Sequence, residues 1–351
     1  MPAPLSSRQR LLRTIAIAAL VASAGAGLLY AADRLGPSRQ ARHFIDVLEG
    51  PSAQSGVRRA HSHGVCVSGW FEPDPGLASL AQGSLFTQQR LPVIGRLSVG
   101  GGGPVVAEAT ARVRSLALQI TAPDGQQWRM AMNSFPFFSL PTADAFLEQV
   151  RAQRPDPLTG QADSAALTAL QQRYPSARAF AQWAANAPWS DSWASTDYHS
   201  VHSFLLVDDH GRSTPVRWSF VPAAQATVMD AEQRRSAAAD HLTVEMQQRL
   251  ARGPVRWDMQ LQLADASDDI NDPSTPWPAN RQRRAAGTLW LDALQPQQGN
   301  ACAAVNFDPT VVPQGVRLSQ DPILAVRSAV YAQSWNRRQR EQARGQHGAA
   351  P

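Results

Sequence analysis

The sequence predicts an α+β protein: an eight-stranded antiparallel β-barrel with surrounding helices, preceded by one N-terminal transmembrane helix. Three observations lead to this fold class. Polar and apolar residues alternate with period two over much of the region from Gly64 to Pro222, as they do in half-buried strands. Turn-forming pairs such as Asp124-Gly125 separate these segments. Finally, the run from Thr14 to Ala32 is apolar and carries no charge.

The N-terminal run also predicts where the protein is located. Its 19 residues would span roughly 28 Å as a helix, about the thickness of a hydrocarbon core. Arginines at 8, 10 and 13 precede it, so residues 1–13 are expected to stay cytoplasmic. The segment 14–32 is then either an uncleaved inner-membrane anchor or a signal peptide with small-residue cleavage sites. In both cases the remainder of the chain is expected to face the periplasm.

Residues 33–40 are interpreted as a linker, 41–340 as one folded domain and 341–351 as a flexible tail. The eight expected strands together suit a closed barrel without exposed edges. They are Gly64–Glu72, Arg96–Val99, Ser115–Ala122, Trp128–Asn133, Val201–Asp208, Val216–Val221, Trp257–Ala264 and Gly287–Leu291. The expected helices are Ala41–Glu49, Ala143–Gln153, Ser164–Ala187, Asp230–Arg252 and Pro322–Arg340.

The composition excludes two broad classes. With 43% hydrophobic and 17% charged residues, the chain is too apolar for a disordered protein. The net charge of +5 suggests nucleic-acid binding at first, but all 33 basic residues are arginine and they are scattered. Without a basic run interleaved with aromatic side chains, no nucleic-acid partner is expected.

Three features of the sequence could carry chemistry. His61 stands just before a predicted strand, two residues from His63. Asn133 ends another predicted strand and leads into an aromatic segment. Arg327 and Tyr331 are four residues apart on a predicted helix, so the guanidinium can reach the phenol oxygen and favour its anionic form. Taken singly, each feature is more often structural than functional.

Together, the segments that contain these features resemble the haem catalases, and more closely the shorter catalase-related peroxidases. They are Arg58–Glu72, Asp124–Phe138 and Asn306–Tyr331, in the same order as in catalases. The resemblance extends from about residue 45 to 340 and implies the catalase barrel and a haem cofactor. The membrane anchor sets this chain apart from typical catalases, which carry a long N-terminal arm instead.

The resemblance implies a role for each matching position. Tyr331 is the axial tyrosinate that holds the haem iron, and Arg327 bonds to it. His61 is the distal acid–base, Asn133 hydrogen-bonds the peroxide, and Ser98 orients His61. The resemblance further implies three haem propionate partners, two residues that support the arginine beside the ligand, and one aromatic side chain on the haem face. In that order they are Arg58, Arg96 and Arg338; His202 and Asp321; and Phe138.

The function implied by the resemblance is a haem peroxidase that reduces hydrogen peroxide, and organic peroxides by extension, through a ferryl intermediate. That intermediate then oxidises a small organic donor or a second peroxide. Two alternatives stay open: an isomerase of fatty-acid hydroperoxides, and a barrel that binds haem or lipid without turnover. The sequence leaves the reductant and the oligomeric state undetermined.

The two cysteines, Cys66 and Cys302, also allow two interpretations. In an oxidising compartment they can pair as a disulfide. Alternatively, they are buried free thiols that pack as small apolar side chains. A bridge requires their Cα atoms to lie within roughly 7 Å of each other.

Overall fold

The computed structural model describes residues 8, 13–17, 21, 23–24, 37–49, 55–101, 107–156 and 158–348. From residue 37 onward it contains ten strands in one antiparallel sheet and seven α-helices. The strands are β1 (Gly64–Pro73), β2 (Leu91–Val99), β3 (Arg114–Thr121), β4 (Gln127–Asn133), β5 (Tyr198–His199), β6 (Phe204–Val207), β7 (Ser213–Pro222), β8 (Val255–Leu263), β9 (Arg283–Pro296) and β10 (Val316–Leu318). The helices are α1 (Pro37–Glu49), α2 (Ala143–Ala152), α3 (Ser164–Arg173), α4 (Pro175–Asn186), α5 (Ala231–Ser236), α6 (His241–Leu250) and α7 (Pro322–Gly348).

Eight of the strands close a ring in the order β1-β2-β3-β4-β5-β7-β8-β9, with β9 pairing back to β1. The predicted eight-stranded antiparallel barrel is therefore confirmed. One member of the ring was predicted wrongly. The expected strand Val201–Asp208 corresponds to β6, which lies outside the ring between β7 and β10. The two-residue β5 takes its place, and a strand that short leaves no alternation in the sequence.

The inside of the barrel is a closely packed apolar core. On β4, Trp128, Met130 and Met132 alternate with outward-facing residues and are at most 1% exposed. The Trp128 ring packs edge-on against Phe86 and Trp218, with ring centroids 5.6 and 5.2 Å apart. Because side chains fill the interior, as in small barrels generally, a ligand must bind elsewhere.

The outer face of β1–β4 is covered by helices, and a cavity of about 650 Å³ lies between them. Residues of α1, α2 and α7 line it on one side, and the outward positions of the strands line it on the other. This volume is in the range of cofactor and ligand sites. The period-two alternation of the strands thus separates a core face from a cavity face.

Two predicted helices are each divided in the structure. The stretch Ser164–Ala187 breaks into α3 and α4 where Tyr174 adopts an extended backbone and Pro175 starts the new helix, because proline is favoured at the first helical position and disfavoured in a helix interior. The stretch Asp230–Arg252 breaks into α5 and α6, since Ala237 is also extended.

The ends of the folded domain differ from the predicted boundaries. Helix α1 begins at Pro37, inside the expected linker, and α7 continues to Gly348, well into the expected flexible tail. The first residues of that tail pack: the Gly56 backbone N–H donates to Glu341 Oε2 at 2.8 Å, and Gln342 Nε2 donates to the Gly56 carbonyl at 3.0 Å.

Most of the predicted transmembrane segment 14–32 lies outside the described residues. Across the part of the chain that is described, no helix is both long and apolar enough to cross a membrane. The anchor therefore stays a prediction.

Candidate active site

Strand register builds the sheet wall of the cavity. The pairs Gly64–Ser98, Ser98–Ser115 and Ser115–Asn133 are aligned across β1 to β4, so these side chains form one row. The next row toward the strand centres places small side chains, Ala117 and Ala131, beside Arg96. A Cβ atom on Gly64 would lie 2.8 Å from Arg96 Nη2. Any larger residue at position 64 would therefore displace the guanidinium.

His61 stands at the edge of this wall in a strained conformation. Its φ is +53°, in the left-handed region that non-glycine residues rarely adopt, and its carbonyl accepts a 2.6 Å hydrogen bond from Arg96 Nη2. The only other non-glycine residue with positive φ among those described is Val201, which also lines the cavity. Strain of this kind concentrates at functional sites.

A hydrogen-bonded chain determines which ring nitrogen of His61 carries the proton. Ser115 Oγ donates to Asn133 Oδ1 and lies 3.1 Å from His61 Nδ1. Since the serine has one proton to donate, Nδ1 carries the histidine proton and Nε2 is left as the basic nitrogen. Burial, and after it the Arg96 and Arg327 guanidinium groups, lower the pKa of His61 to about 4. The ring is therefore neutral at pH 7.

The serine that contacts His61 is a different one from the serine that the resemblance implies. Ser98 was expected to orient His61, but the described contacts give Ser98 no hydrogen bond to that ring, and Ser115 makes the contact instead. The two serines are register partners on neighbouring strands and both line the cavity. The His61 ring reaches past Ser98 on β2 to the next strand, β3.

Asn133 and an aromatic group complete the sheet side. Asn133 accepts from Ser115 through Oδ1, which leaves its amide N–H groups available to a ligand in the cavity. Phe138, which the resemblance places on the haem face, lines the cavity and packs against Phe146 and Phe135 with centroid distances of 5.0 and 6.3 Å. An amide beside an apolar wall suits a small polar ligand in a dry site.

Helix α7 forms the facing wall and carries the predicted arginine–tyrosine pair. Arg327 Nη2 donates to Tyr331 Oη at 2.9 Å and to the Ala131 carbonyl of β4 at 3.3 Å. The first contact is the predicted i, i+4 interaction, and the second ties the helix to the sheet wall. The phenol oxygen of Tyr331 therefore lies in the cavity with a fixed orientation, and a tyrosine oxygen is a known ligand of haem iron.

His202 and Asp321 lie together behind this pair, but their contacts differ from those expected. His202 Nδ1 and Asp321 Oδ2 are 2.6 Å apart, and both side chains are 1% exposed. Neither hydrogen-bonds Arg327 among the described contacts. Asp321 instead caps α7, accepting from the Ile323 backbone N–H at 2.8 Å. Burial lowers the pKa of His202, although its hydrogen bond to Asp321 opposes the shift.

Arg58, Arg96 and Arg338 gather at one rim of the cavity as a cluster without anionic partners. In the described part of the chain, none of the three forms a salt bridge with a carboxylate. The Nε atoms of Arg58 and Arg338 are buried without any hydrogen-bond partner. Burial, and then repulsion from Arg338, lower the pKa of Arg58 to about 9.

Buried cations without counter-charges are costly, so this cluster indicates an anionic ligand. Three guanidinium groups suit carboxylates, which they can bind with paired hydrogen bonds. The apolar walls between the cluster and Tyr331 suit a flat, apolar body. A porphyrin with two carboxylates and a tyrosinate-bound iron has this chemistry, so the donor set fits haem.

Sequence reasoning missed two polar residues of the site. Ser115 bridges His61 and Asn133, and Gln297 Oε1 accepts from Arg96 Nε. Ser115 could have been found, because a hairpin centred on Asp124 places residues 115 and 133 opposite each other. Gln297 follows the end of β9 in a loop, where no periodic signal exists.

Comparisons with known proteins agree with this geometry. The family model described as Catalase matches residues 54–343. The chain is 34% identical over 329 residues to the catalase-related peroxidase of Synechococcus elongatus, covering 93% of this chain and 96% of the relative. It is 30% identical over 291 residues to the catalase-related peroxidase of Mycolicibacterium paratuberculosis, covering 83% and 92%.

Solved structures share the fold. A fungal catalase superposes with a TM-score of 0.72 at 18% identity, over 81% of this chain and 59% of that one. A bacterial catalase gives a TM-score of 0.69, also at 18% identity, over 81% and 58%. The chain thus spans about three fifths of the length of these solved catalases. Membership of this family implies haem. The chain belongs to the catalase family, within its group of catalase-related peroxidases, and is an oxidoreductase that acts on peroxide.

Proposed function

We propose that the protein is a haem-dependent peroxidase that reduces hydrogen peroxide and oxidises a small organic donor or a second peroxide. The observation that carries the proposal is the pairing of two walls in one cavity. The helix wall offers a phenol beside a guanidinium, and the sheet wall offers a neutral histidine beside a free amide. A binding protein has no need for the second pair.

In this proposal the residues of the helix wall hold the cofactor. Tyr331 would ligate the iron, and Arg327 would donate a hydrogen bond to the ligating oxygen. The carboxylates would bind the cluster of Arg58, Arg96 and Arg338. When bound, haem supplies the redox-active iron at which the peroxide O–O bond is cleaved.

The residues of the sheet wall move the proton. His61 Nε2 takes the proton from one peroxide oxygen and returns it to the other, so that the departing oxygen leaves as water. Such positioned transfer is worth about 10² to 10⁴ in rate. Asn133 holds the peroxide through its amide. Ser115 contacts both His61 and Asn133 and thereby fixes their positions relative to each other. The neighbouring Phe138 helps exclude bulk water.

The other readings have less support. A lipid-binding barrel needs an open interior, and here the interior is filled by the main apolar core, including Trp128 and Trp218. An isomerase of fatty-acid hydroperoxides would use the same cofactor, but no feature of the described cavity favours it over the peroxidase. Organic peroxides stay a proposed second substrate class.

We also propose that the domain is exported to the periplasm, anchored by residues 14–32 or released by cleavage. Ile15, Ile17 and Val21 are 56%, 65% and 65% exposed, which suits a segment that inserts into lipid. The disulfide between Cys66 and Cys302 supports an oxidising compartment.

The test is a steady-state assay of the haem-loaded protein with hydrogen peroxide and a phenolic donor. Donor oxidation and oxygen release, followed in parallel, separate peroxidase from catalase turnover. A fatty-acid hydroperoxide serves as the alternative substrate. Donor oxidation with peroxide consumption supports the proposal. Isomerised hydroperoxide without donor oxidation would favour the isomerase, and no turnover at all would leave a binding protein.

A further inference from the structure

The disulfide decides between the two interpretations of the cysteines. Cys66 and Cys302 are bonded, with Cα atoms 5.4 Å apart. The bridge joins the outer face of β1 to a single turn of 3₁₀-helix, Ala301–Ala304. Both cysteines are buried, in a small cluster with Val305 and Phe307 that is separate from the barrel core.

The turn that the disulfide fastens presents its carbonyls to the arginine cluster. Arg58 Nη2 donates to the carbonyls of Cys302 and Val305, at 3.0 and 2.9 Å. Arg338 Nη2 donates to the Ala303 carbonyl at 3.1 Å. Two of the three clustered guanidinium groups therefore donate to three carbonyls within the four residues 302–305, at one end of the bridge.

The other end of the bridge lies beside the third arginine. Cys66 and Arg96 are register partners on β1 and β2. Arg96 Nε donates to the Gln297 side chain, and the Gln297 carbonyl lies 3.9 Å from Cys66 Sγ. All three arginines thus contact groups that adjoin the two cysteines.

This arrangement has an electrostatic reason. Buried guanidinium groups that repel one another, with no carboxylate between them, tend to separate unless their hydrogen-bond acceptors are fixed. For Arg58 and Arg338 the acceptors are carbonyls of a short irregular segment, which has no strand pairing of its own to hold it. The covalent link to β1 supplies the fixed point.

We propose that the Cys66–Cys302 disulfide is a positioning element that preassembles the arginine cluster for the carboxylates of the cofactor. This inference rests on the proposed haem function. Reduction by a dithiol, which gives up two electrons and two protons and becomes a disulfide itself, would convert the bridge to two thiols. It would release the turn and weaken cofactor binding without removing a cofactor contact.

The test compares cofactor release from the full chain with and without the bridge. The double variant Cys66→Ala/Cys302→Ala and the reduced, alkylated parent are loaded with haem. Transfer of haem to excess apomyoglobin is followed by absorbance. Loss of one well-placed charge-assisted hydrogen bond corresponds to roughly tenfold in affinity, so release at least about tenfold faster is expected.

Two controls keep the result interpretable. Leu261→Ala, deep in the barrel core and remote from the turn, lowers general stability and should release haem at nearly the parental rate. Equal acceleration in this control, or release within about twofold of the parent in the double variant, would overturn the proposal.

Iron-free protoporphyrin, followed by quenching of tryptophan fluorescence, reports the carboxylate contacts without the tyrosine ligand. Weaker porphyrin binding in the double variant sustains the inference even if the loaded protein proves inactive toward peroxide, which would contradict only the proposed function. A parent chain that binds neither haem nor porphyrin would overturn both.

Discussion

The two walls of the cavity differ in secondary structure and in the chemical groups that they present to a ligand. The sheet wall is a row of small polar side chains, aligned across β1 to β4 by register, and includes Ser115 and Asn133. The helix wall depends on i, i+4 spacing along α7, which places Arg327 on Tyr331. In the proposed function, the sheet wall would transfer a proton and hydrogen-bond the peroxide, and the helix wall would supply the metal ligand.

This division means that binding and reactivity should be separable by mutation. Changes on α7 should affect whether the cofactor is held, whereas changes on the sheet should affect how fast peroxide reacts with a protein that still holds it. Variants on each wall therefore test whether cofactor binding and peroxide reactivity can be separated.

The largest effect is expected on the helix wall. Tyr331→Phe removes the only oxygen that this side chain can offer to iron, while the ring still packs. We expect loss of the tyrosinate absorption bands, with greatly reduced haem retention after gel filtration. An unchanged spectrum and haem content in this variant would refute the axial assignment.

On the sheet wall, His61→Ala should keep haem and react with peroxide at least about a hundredfold more slowly, the lower end of an acid–base contribution. Stopped-flow absorbance measures the rate. His63→Ala is the matched control, because His63 turns away to Glu108, with Nε2 2.8 Å from Oε1. If both variants slow equally, His61 is not the proton shuttle.

The reaction should also depend on pH through His61. Burial and neighbouring arginines lower its pKa to about 4 from 6.5, so the basic form persists well below neutrality. Below about pH 4 the rate should fall about tenfold per pH unit. The folded state disfavours the protonated ring. The stabilising contribution of the neutral His61 ring to the free energy of unfolding is therefore fully present above about pH 6.5. This contribution is lost as the pH falls through about 4. A rate that halves near pH 6.5 instead would contradict the burial argument.

The smallest effect is expected for the serine that orients the histidine. Ser115→Ala removes one hydrogen bond to the His61 ring and one to Asn133, worth about 1 kcal/mol or a little more, or roughly tenfold in rate. The apparent pKa of the peroxide reaction should shift as well, which a purely structural role would not cause. Ser98→Ala, its register partner, should change the rate much less. A larger effect of Ser98→Ala than of Ser115→Ala would instead support Ser98 as the serine that orients His61.

Local sequence signals predicted some contacts of this site, and the family resemblance supplied the roles of its residues. The spacing of Arg327 and Tyr331 gave their contact, and alternation gave the strands that carry Ser115 and Asn133. The contacts that were missed depend on long-range geometry. The prediction named Ser98 and not Ser115, its register partner on the adjacent strand, because no local pattern shows which of the two contacts the His61 ring.

Tertiary context also decided the elements that were predicted incorrectly. The two-residue β5 exists because the ring must close between β4 and β7, and its own sequence carries no strand pattern. His202 and Asp321 are 119 residues apart, and they pair because the start of α7 returns to the loop before β6. Such contacts follow from the closed topology, which local patterns only imply.

Absorption spectroscopy of the purified full chain is the most direct test of whether this cavity holds haem and turns over peroxide. Spectra are recorded before hydrogen peroxide, after one equivalent, and after a phenolic donor is added. We expect a porphyrin band with tyrosinate features, a change on peroxide addition and a return to the starting spectrum with the donor. Protein without porphyrin absorption after haem loading, or a haem spectrum that peroxide leaves unchanged, would contradict the proposed function.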